Sequence, residues 1–387
     1  MDRRDFLKKS MLALALGQGA PTLLSRTALA ASAKNKILVV VQLNGGNDTL
    51  NTLIPFRQEL YYRARPNIAI KKEEVLDLGN SMGLHPSLKP LIPMWESGEL
   101  ALVPQVGYPN ASRSHFVSMA IWHTADPSRK TAEGWLGRQL DDADDPFCFT
   151  NLGNASPLSL QGATAVAPSI SSVDGFQLKL PGGLDKSFAR EIGLPREGAA
   201  EMVRQSMVRL THAIDKVGMV RSYTNKAQYP NHPFAKSMAD VARMIASNFG
   251  SSVYYSSIGS FDTHAGQPTQ QGDLLGTLAQ TLAAFRQDMK AIGRDKDVMV
   301  LAFSEFGRRV SENASYGTDH GKGGLMFAIG GGIKGAMLGS EPDLEDLDEG
   351  DLRFKTDFRS VYTSALNWIQ ADPKTVLGAD FKPVNLF

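Results

Sequence analysis

Residues 36–48 read KILVVVQLNGGND, and the fold turns on this stretch. Its apolar part shows no polar alternation, the pattern of a strand covered on both faces in a parallel sheet. It stops at Asn44-Gly45-Gly46, a sharp turn signal, and leads into Asn47 and Asp48. The same order of apolar run, turn and polar cluster recurs in ELALVPQVGYPNASRSHF (99–116), SSVYYSSIGSFDTHAGQ (251–267) and DVMVLAFSEFGRR (297–309). A fifth run, GLMFAIGGGIKG (324–335), breaks at three glycines. Between the runs lie helical patterns. Val203, Met207, Leu210, Ile214 and Val217 share one face at three- and four-residue steps, and 234–246 and 273–292 behave alike. Strands alternating with helices predict an α/β fold with a largely parallel sheet. Residues 154–195 are rich in Ser, Gly, Pro and Ala and read as an excursion or cap over that sheet, not a linker between domains.

The chain has 387 residues, 42% hydrophobic and 21% charged, which suits a globular protein with one large sheet. The one cysteine, Cys148, excludes an internal disulfide framework. A formal net charge of +1 hides an asymmetry. The first thirty residues hold Arg3, Arg4, Lys8, Lys9 and Arg26 against Asp2 and Asp5, and taking that +3 away leaves −2 for the rest. With EPDLEDLDEGD at 341–351 added, nucleic acid is excluded as a partner.

Residues 1–30 carry a basic start (RRDFLKK, 3–9), a short apolar run and the small-residue pair Ala28 and Ala30. This is the layout of a cleaved export signal. The paired arginines with Phe6, Leu7 and Lys8 resemble the twin-arginine (Tat) signal, which carries folded proteins across the membrane. The resemblance implies passage through the Tat translocase and a periplasmic location. Gln18 and Pro21 interrupt the apolar run, which is too short to span a bilayer. The mature chain is then a single domain over 31–387.

In open α/β sheets, ligands bind beyond the carboxyl ends of the strands. Here those ends supply Asn44, Asn47 and Asp48, then Ser112, Arg113, Ser114 and His115, then Asp262 and His264, then Glu305 and Arg308. Asp319 and His320 follow in a glycine-rich turn. Each group alone reads as ordinary loop polarity. Together they read as a site for a divalent metal, because Asp, Glu and His without Cys suit Zn, Mn, Mg or Ca. Ser112 and Ser114 either cap the helix that follows or stand ready as a nucleophile at its positive end. His85, His123, His212 and His232 read as structural.

The segments VVVQLNGGNDTLNTLIP, LHPSLKPL, VGYPNASRSHF, GWLGRQLD, FDTHAGQ, FSEFGRRVSENAS and GTDHGKGG together resemble a Tat-exported bacterial family, domain of unknown function 1501. That family is grouped with the alkaline phosphatase and sulfatase superfamily. The resemblance implies a doubly wound sheet with helices on both faces and one or two divalent ions at the strand ends. It implies Asp48, Asp262, His264, Glu305, Asp319 and His320 as metal ligands, and Ser114, or else Ser112, as nucleophile. Arg113 and Arg308 would pair with transition-state charge, and Asn47 and His115 would touch substrate. The implied activity is hydrolysis of a small anionic phosphate or sulfate ester. The sequence departs from the superfamily pattern at Glu305, where Asp is usual, and at Phe306, where His is usual. An apolar ring at that position motivates an alternative: a catalytically decayed member that binds an envelope protein partner.

Overall fold

The apolar runs pair into one sheet. The computed structural model describes residues 36–175 and 217–387, apart from 80, 142 and 144. The export-signal reading of 1–30, the helical pattern of 201–217 short of its last residue, and the 176–195 part of the excursion lie outside the described residues. From Ile37 onward the chain forms one compact unit. Its main strands are β1 (Ile37–Leu43), β2 (Leu100–Gly107), β3 (Phe149–Asn151), β4 (Val253–Ile258), β5 (Val298–Ser304), β6 (Gly324–Ile329) and β7 (Thr356–Asp357). They lie side by side in the order β7-β2-β6-β5-β1-β4-β3.

All neighbours pair in parallel except β6, which runs antiparallel to both β2 and β5. The fold is α/β with a mostly parallel sheet, as expected. The reversal of β6 matters for the site, because the amino end of a reversed strand sits at the same rim as its neighbours' carboxyl ends.

The helices α1 (His115–Thr124), α2 (Pro233–Ala246), α3 (Gln267–Ala291) and α4 (Phe358–Trp368) cover both faces. Alternate residues of β1 enter opposite cores, which is why its sequence shows no alternation. Val39, Val41 and Leu43 pack with Met238 and Val241 of α2 and with Leu278, Leu282 and Phe285 of α3. Leu38 and Val40 join Ile121 and Trp122 of α1 and Val361 and Tyr362 of α4. The layering is doubly wound. In β2 the register shifts between Pro104 and Val106, with Gln105 at φ 51°. Proline cannot donate to a ladder, and the bulge accommodates it.

The described part of the excursion, 154–175, lies along the outer edge of β3. Its Ile170 N–H donates to the Asn151 carbonyl, and Leu160 and Ile170 enter opposite cores. It protects a sheet edge.

Candidate metal centre

Three loops and one helix start converge at the rim. The turn after β1 rises through Gly45 at φ 116°, and a side chain there would put its Cβ 2.4 Å from the Asp262 amide nitrogen. Only glycine lets the loops after β1 and β4 approach so closely. Gly317 does the same beneath His264, where a Cβ would lie 2.3 Å from the histidine's carbonyl carbon. His320 is placed by an antiparallel bridge to Arg308 just before β6 begins. The first turn of α1 is fixed to the end of β5 by Ser118, whose hydroxyl donates to the Glu305 carbonyl at 2.6 Å. His115, one helical turn earlier, thereby faces the Glu305 side chain.

The hydrogen bonds decide which ring nitrogen is protonated. His320 Nδ1 lies 2.7 Å from the Arg113 carbonyl, an acceptor with no hydrogen to give. Nδ1 therefore carries the proton, and Nε2 of the neutral ring presents a lone pair. His264 Nδ1 lies 3.2 Å from Asp319 Oδ1, and His115 Nδ1 lies 2.9 Å from Glu305 Oε1. In the tautomer whose Nδ1 proton goes to that carboxylate, each of these rings presents a bare Nε2. These three nitrogens converge on Asp262. His264 Nε2 and His320 Nε2 are 2.9 Å apart, and each is 3.1 Å from Asp262 Oδ1. His115 Nε2 is 3.4 Å from Asp262 Oδ2 and finds no hydrogen-bond partner.

Lone pairs facing one another at these distances repel unless a positive charge lies between them. Burial pushes the His320 imidazole below its ordinary value, against the pull of the Arg113 carbonyl and Asp262, so the ring favours its neutral form. Asp262 is held at about 2: burial alone would raise it, but the hydrogen bond and charge of Arg308 outweigh that. A neutral imidazole and an ionised carboxylate are the forms that bind metal. Donors about 2.0–2.1 Å from a tetrahedral zinc stand roughly 3.3 Å from one another, which is the scale of this cluster. Each Nδ1–H is backed by an acceptor, the support that metal-bound histidines carry. The residues present fit a divalent ion held by His115, Asp262 and His320, whose ligand atoms all lie within 4.8 Å of one another, with His264 Nε2 beside His320 and Asp262.

Not every residue expected at the site takes the expected place. Asp48 is 1% exposed and lies outside the cluster, its oxygens taken by Arg65 at 2.5 and 3.0 Å, by Gln267 at 2.6 Å and by the Leu50 amide. A carboxylate so saturated has no lone pair aimed at the rim. Asn47 is buried against Thr52 and Gln271 instead of facing the opening. Glu305 and Asp319 stand behind His115 and His264, touching the cluster through ring nitrogens. Asn313 and then His264 hold Asp319 below the ordinary carboxylate value. Arg308 is fully buried, and each of its three nitrogens donates. They reach the carbonyls of Gly45, Gly46, Phe261 and Thr318 and Asp262 Oδ1. It fastens the loops and, with its side chain 0% exposed, offers no open N–H to a substrate. The Arg113 side chain turns away to Asp351 at 2.6 and 2.8 Å, and only its carbonyl serves the cluster.

Ser114 is the N-cap of α1 and is exposed, yet its side chain makes no capping hydrogen bond. The Ser112 hydroxyl instead accepts from the Ser114 amide at 3.2 Å. Phe306 is buried between His115 and His320, its ring centroid 4.9 and 4.8 Å from theirs, and forms the floor on which both imidazoles rest. Sequence reasoning missed His115 as a donor, and missed Arg65 and Gln267 altogether. No local pattern singles out a lone arginine and a neutral amide.

The sequence matches the family described as protein of unknown function (DUF1501) over residues 35–351, most of its length. The chain belongs to that family. No curated protein matches the sequence. Among solved structures the chain is similar to the sulfatase PsFucS1 from Pseudoalteromonas sp., at 10% identity and TM-score 0.40, covering 94% of this chain and 75% of the other. It is also similar to the lipoteichoic acid synthase LtaP from Listeria monocytogenes, at 11% identity and TM-score 0.36, covering 78% and 67%. A third is the C-terminal periplasmic domain of EcEptC from Escherichia coli, solved with Zn, at 8% identity and TM-score 0.29, covering 78% and 75%. No helix among the described residues is long and apolar enough to cross a membrane.

Proposed function

We propose that this DUF1501 protein is an exported, metal-dependent hydrolase of small phosphate or sulfate esters. The observation that carries the reading is the gathering of His115, Asp262 and His320 within ligand distance of one another, with His264 Nε2 at their side. Three imidazoles and one carboxylate are a nitrogen-rich set, which favours Zn²⁺ over Mg²⁺ or Ca²⁺. When bound, such an ion supplies a Lewis acid for an ester oxygen. The chain's own contribution is positional. Glu305, Asp319 and the Arg113 carbonyl keep the Nδ1 protons in place and the Nε2 atoms bare. Because Ser114 does not cap α1, the amides of that first turn stay open to an anion beside its free hydroxyl. Ser114 is the nucleophile of this reading, with the ester's anionic group lying over the helix start. The twin-arginine-like start supports export in the folded state to the periplasm.

One observation favours a second reading. His264 Nε2, 2.9 Å from His320 Nε2, would as a fourth donor close a tetrahedral centre, and catalytic sites keep a position open. Arg308, moreover, is fully buried, and the Arg113 side chain pairs with Asp351 and Glu349. A centre closed in this way fits a metal-stabilised envelope protein with a protein partner. One experiment separates the two: metal content after gel filtration, with turnover of aryl phosphate and aryl sulfate before and after chelation. The hydrolase reading expects close to one bound ion, turnover lost with chelator, and loss of both in His320→Ala. Bound metal with no turnover of either ester class leaves the second reading. A chain that takes up no metal sinks both.

A further inference from the structure

The hydrolytic reading leaves a buried polar network unused. Arg65, Asp48, Gln267, Thr263 and Thr318 are each at most 1% exposed, yet none touches the opening. Gln267 Nε2 donates to Asp48 Oδ2 at 2.6 Å, and Arg65 grips the same carboxylate from the other side. At its far end Gln267 Oε1 accepts from the hydroxyls of Thr318 at 2.6 Å and Thr263 at 3.0 Å. The carboxylate fixes which end of the amide is which, because only its NH₂ can face an acceptor without hydrogens.

The two threonines sit at telling places. Thr263 stands between Asp262 and His264, and Thr318 precedes Asp319 and His320. The Thr318 amide also donates to the Thr263 carbonyl at 3.2 Å, so the loops are already neighbours. One carboxamide holds both loops, and the ion pair behind it is the anchor. Buried amides cost stability unless both ends are met, and a fully met network rigidifies what it joins.

We propose that Gln267 is a positioning residue. Through Thr263 and Thr318 it sets the separation of Asp262, His264 and His320, and Asp48 with Arg65 sets Gln267. The inference rests on the metal reading above. It also accounts for Asp48 at the strand end, where it acts through the amide and not as a ligand.

The test uses the full chain stripped with chelator and titrated with Zn²⁺ alone against a chromophoric competitor. Thermal unfolding of each variant in chelator checks that it is folded. Gln267→Met is expected to bind Zn²⁺ about 10–100-fold more weakly, the usual cost of losing support behind a ligand. Thr318→Val is expected to lose affinity in the same direction, and Thr318→Ser, which keeps the hydroxyl, to bind as the wild type does. The conservative pair keeps the proposal open to refutation should Gln267→Met fail to fold. Affinity within twofold of wild type in Gln267→Met or Thr318→Val overturns the positioning role and leaves the metal reading standing. Equal losses in Thr318→Val and Thr318→Ser overturn it too, since packing and not the hydroxyl would then matter. A wild-type chain that binds no Zn²⁺ overturns the metal reading and the positioning role with it.

Discussion

Two carboxylates stand at the same rim of the sheet and behave in opposite ways. Asp48 is sealed, with Arg65, Gln267 and the Leu50 amide using its lone pairs at 1% exposure. Asp262 is 44% exposed at its side chain, and besides its one arginine donor, Arg308, its oxygens face three ring nitrogens. A closed circuit of donors and acceptors reads as architecture. Acceptors facing acceptors read as a place kept for a cation. Composition cannot tell the two apart, because both regions pair Asp with basic groups.

The comparison breaks first at Arg65. Arg65→Met leaves the Asp48 charge buried without its partner, and the expected loss is about 3–5 kcal/mol in unfolding free energy. Asp262→Asn, measured on metal-free protein, is expected to cost less than Arg65→Met, since water reaches the Asp262 side of the pair and an amide oxygen still accepts from Arg308. Urea unfolding of both variants decides. Equal losses would mean that Asp262 is as architectural as Asp48.

The histidines offer the same contrast on a pH axis. His123 is buried in the last turn of α1, where Nε2 lies 2.8 Å from Gln42 Oε1, and burial pushes its imidazole down to about 4. A base lowered in the folded state is charged more readily when unfolded. Its stabilisation is therefore full above about pH 6.5 and is lost as pH falls toward 4. The expected loss across that window is on the order of 2–3 kcal/mol, and His123→Gln should flatten the profile of the metal-free protein. A profile unchanged by the substitution would remove His123 from the account.

The sheet was largely written in the apolar runs, because a strand buried on both faces must be apolar at every position. The direction of β6 was not, since a fully buried strand reads alike either way. The gathering of Asp262, His264 and His320 is legible from their places after β4 and before β6, given that ligands collect at one rim. Which atom faces which is another matter. Glu305 and His115 exchange their expected places because the first turn of α1 is fixed by Ser118, a contact between residues 187 apart in sequence. Asp48 looks like a ligand until Arg65 arrives from a separate segment. Gln267, uncharged and at a helix start, carries no local signal at all.

The smallest effects should come from the carboxylates behind the rings, and they sharpen the comparison because one is sealed and one is open. Glu305 is 2% exposed and holds the His115 Nδ1 proton while also accepting from the Gly45 amide. Glu305→Met keeps the length but gives the ring no acceptor, so nothing holds the His115 Nδ1 proton in place and the ring can turn its lone pair away from the cluster. Zn²⁺ affinity is expected to fall about 10–100-fold. Asp319 backs His264 from a side chain 58% exposed, where water can replace it. Asp319→Asn should therefore cost no more than about the lower end of that range, roughly tenfold. Competitive titration of the two variants against Zn²⁺ ranks them directly. If Asp319→Asn proves the costlier change, exposure is not what sets the strength of this support, and the division of the rim into sealed and open carboxylates would have to be redrawn around the charge itself.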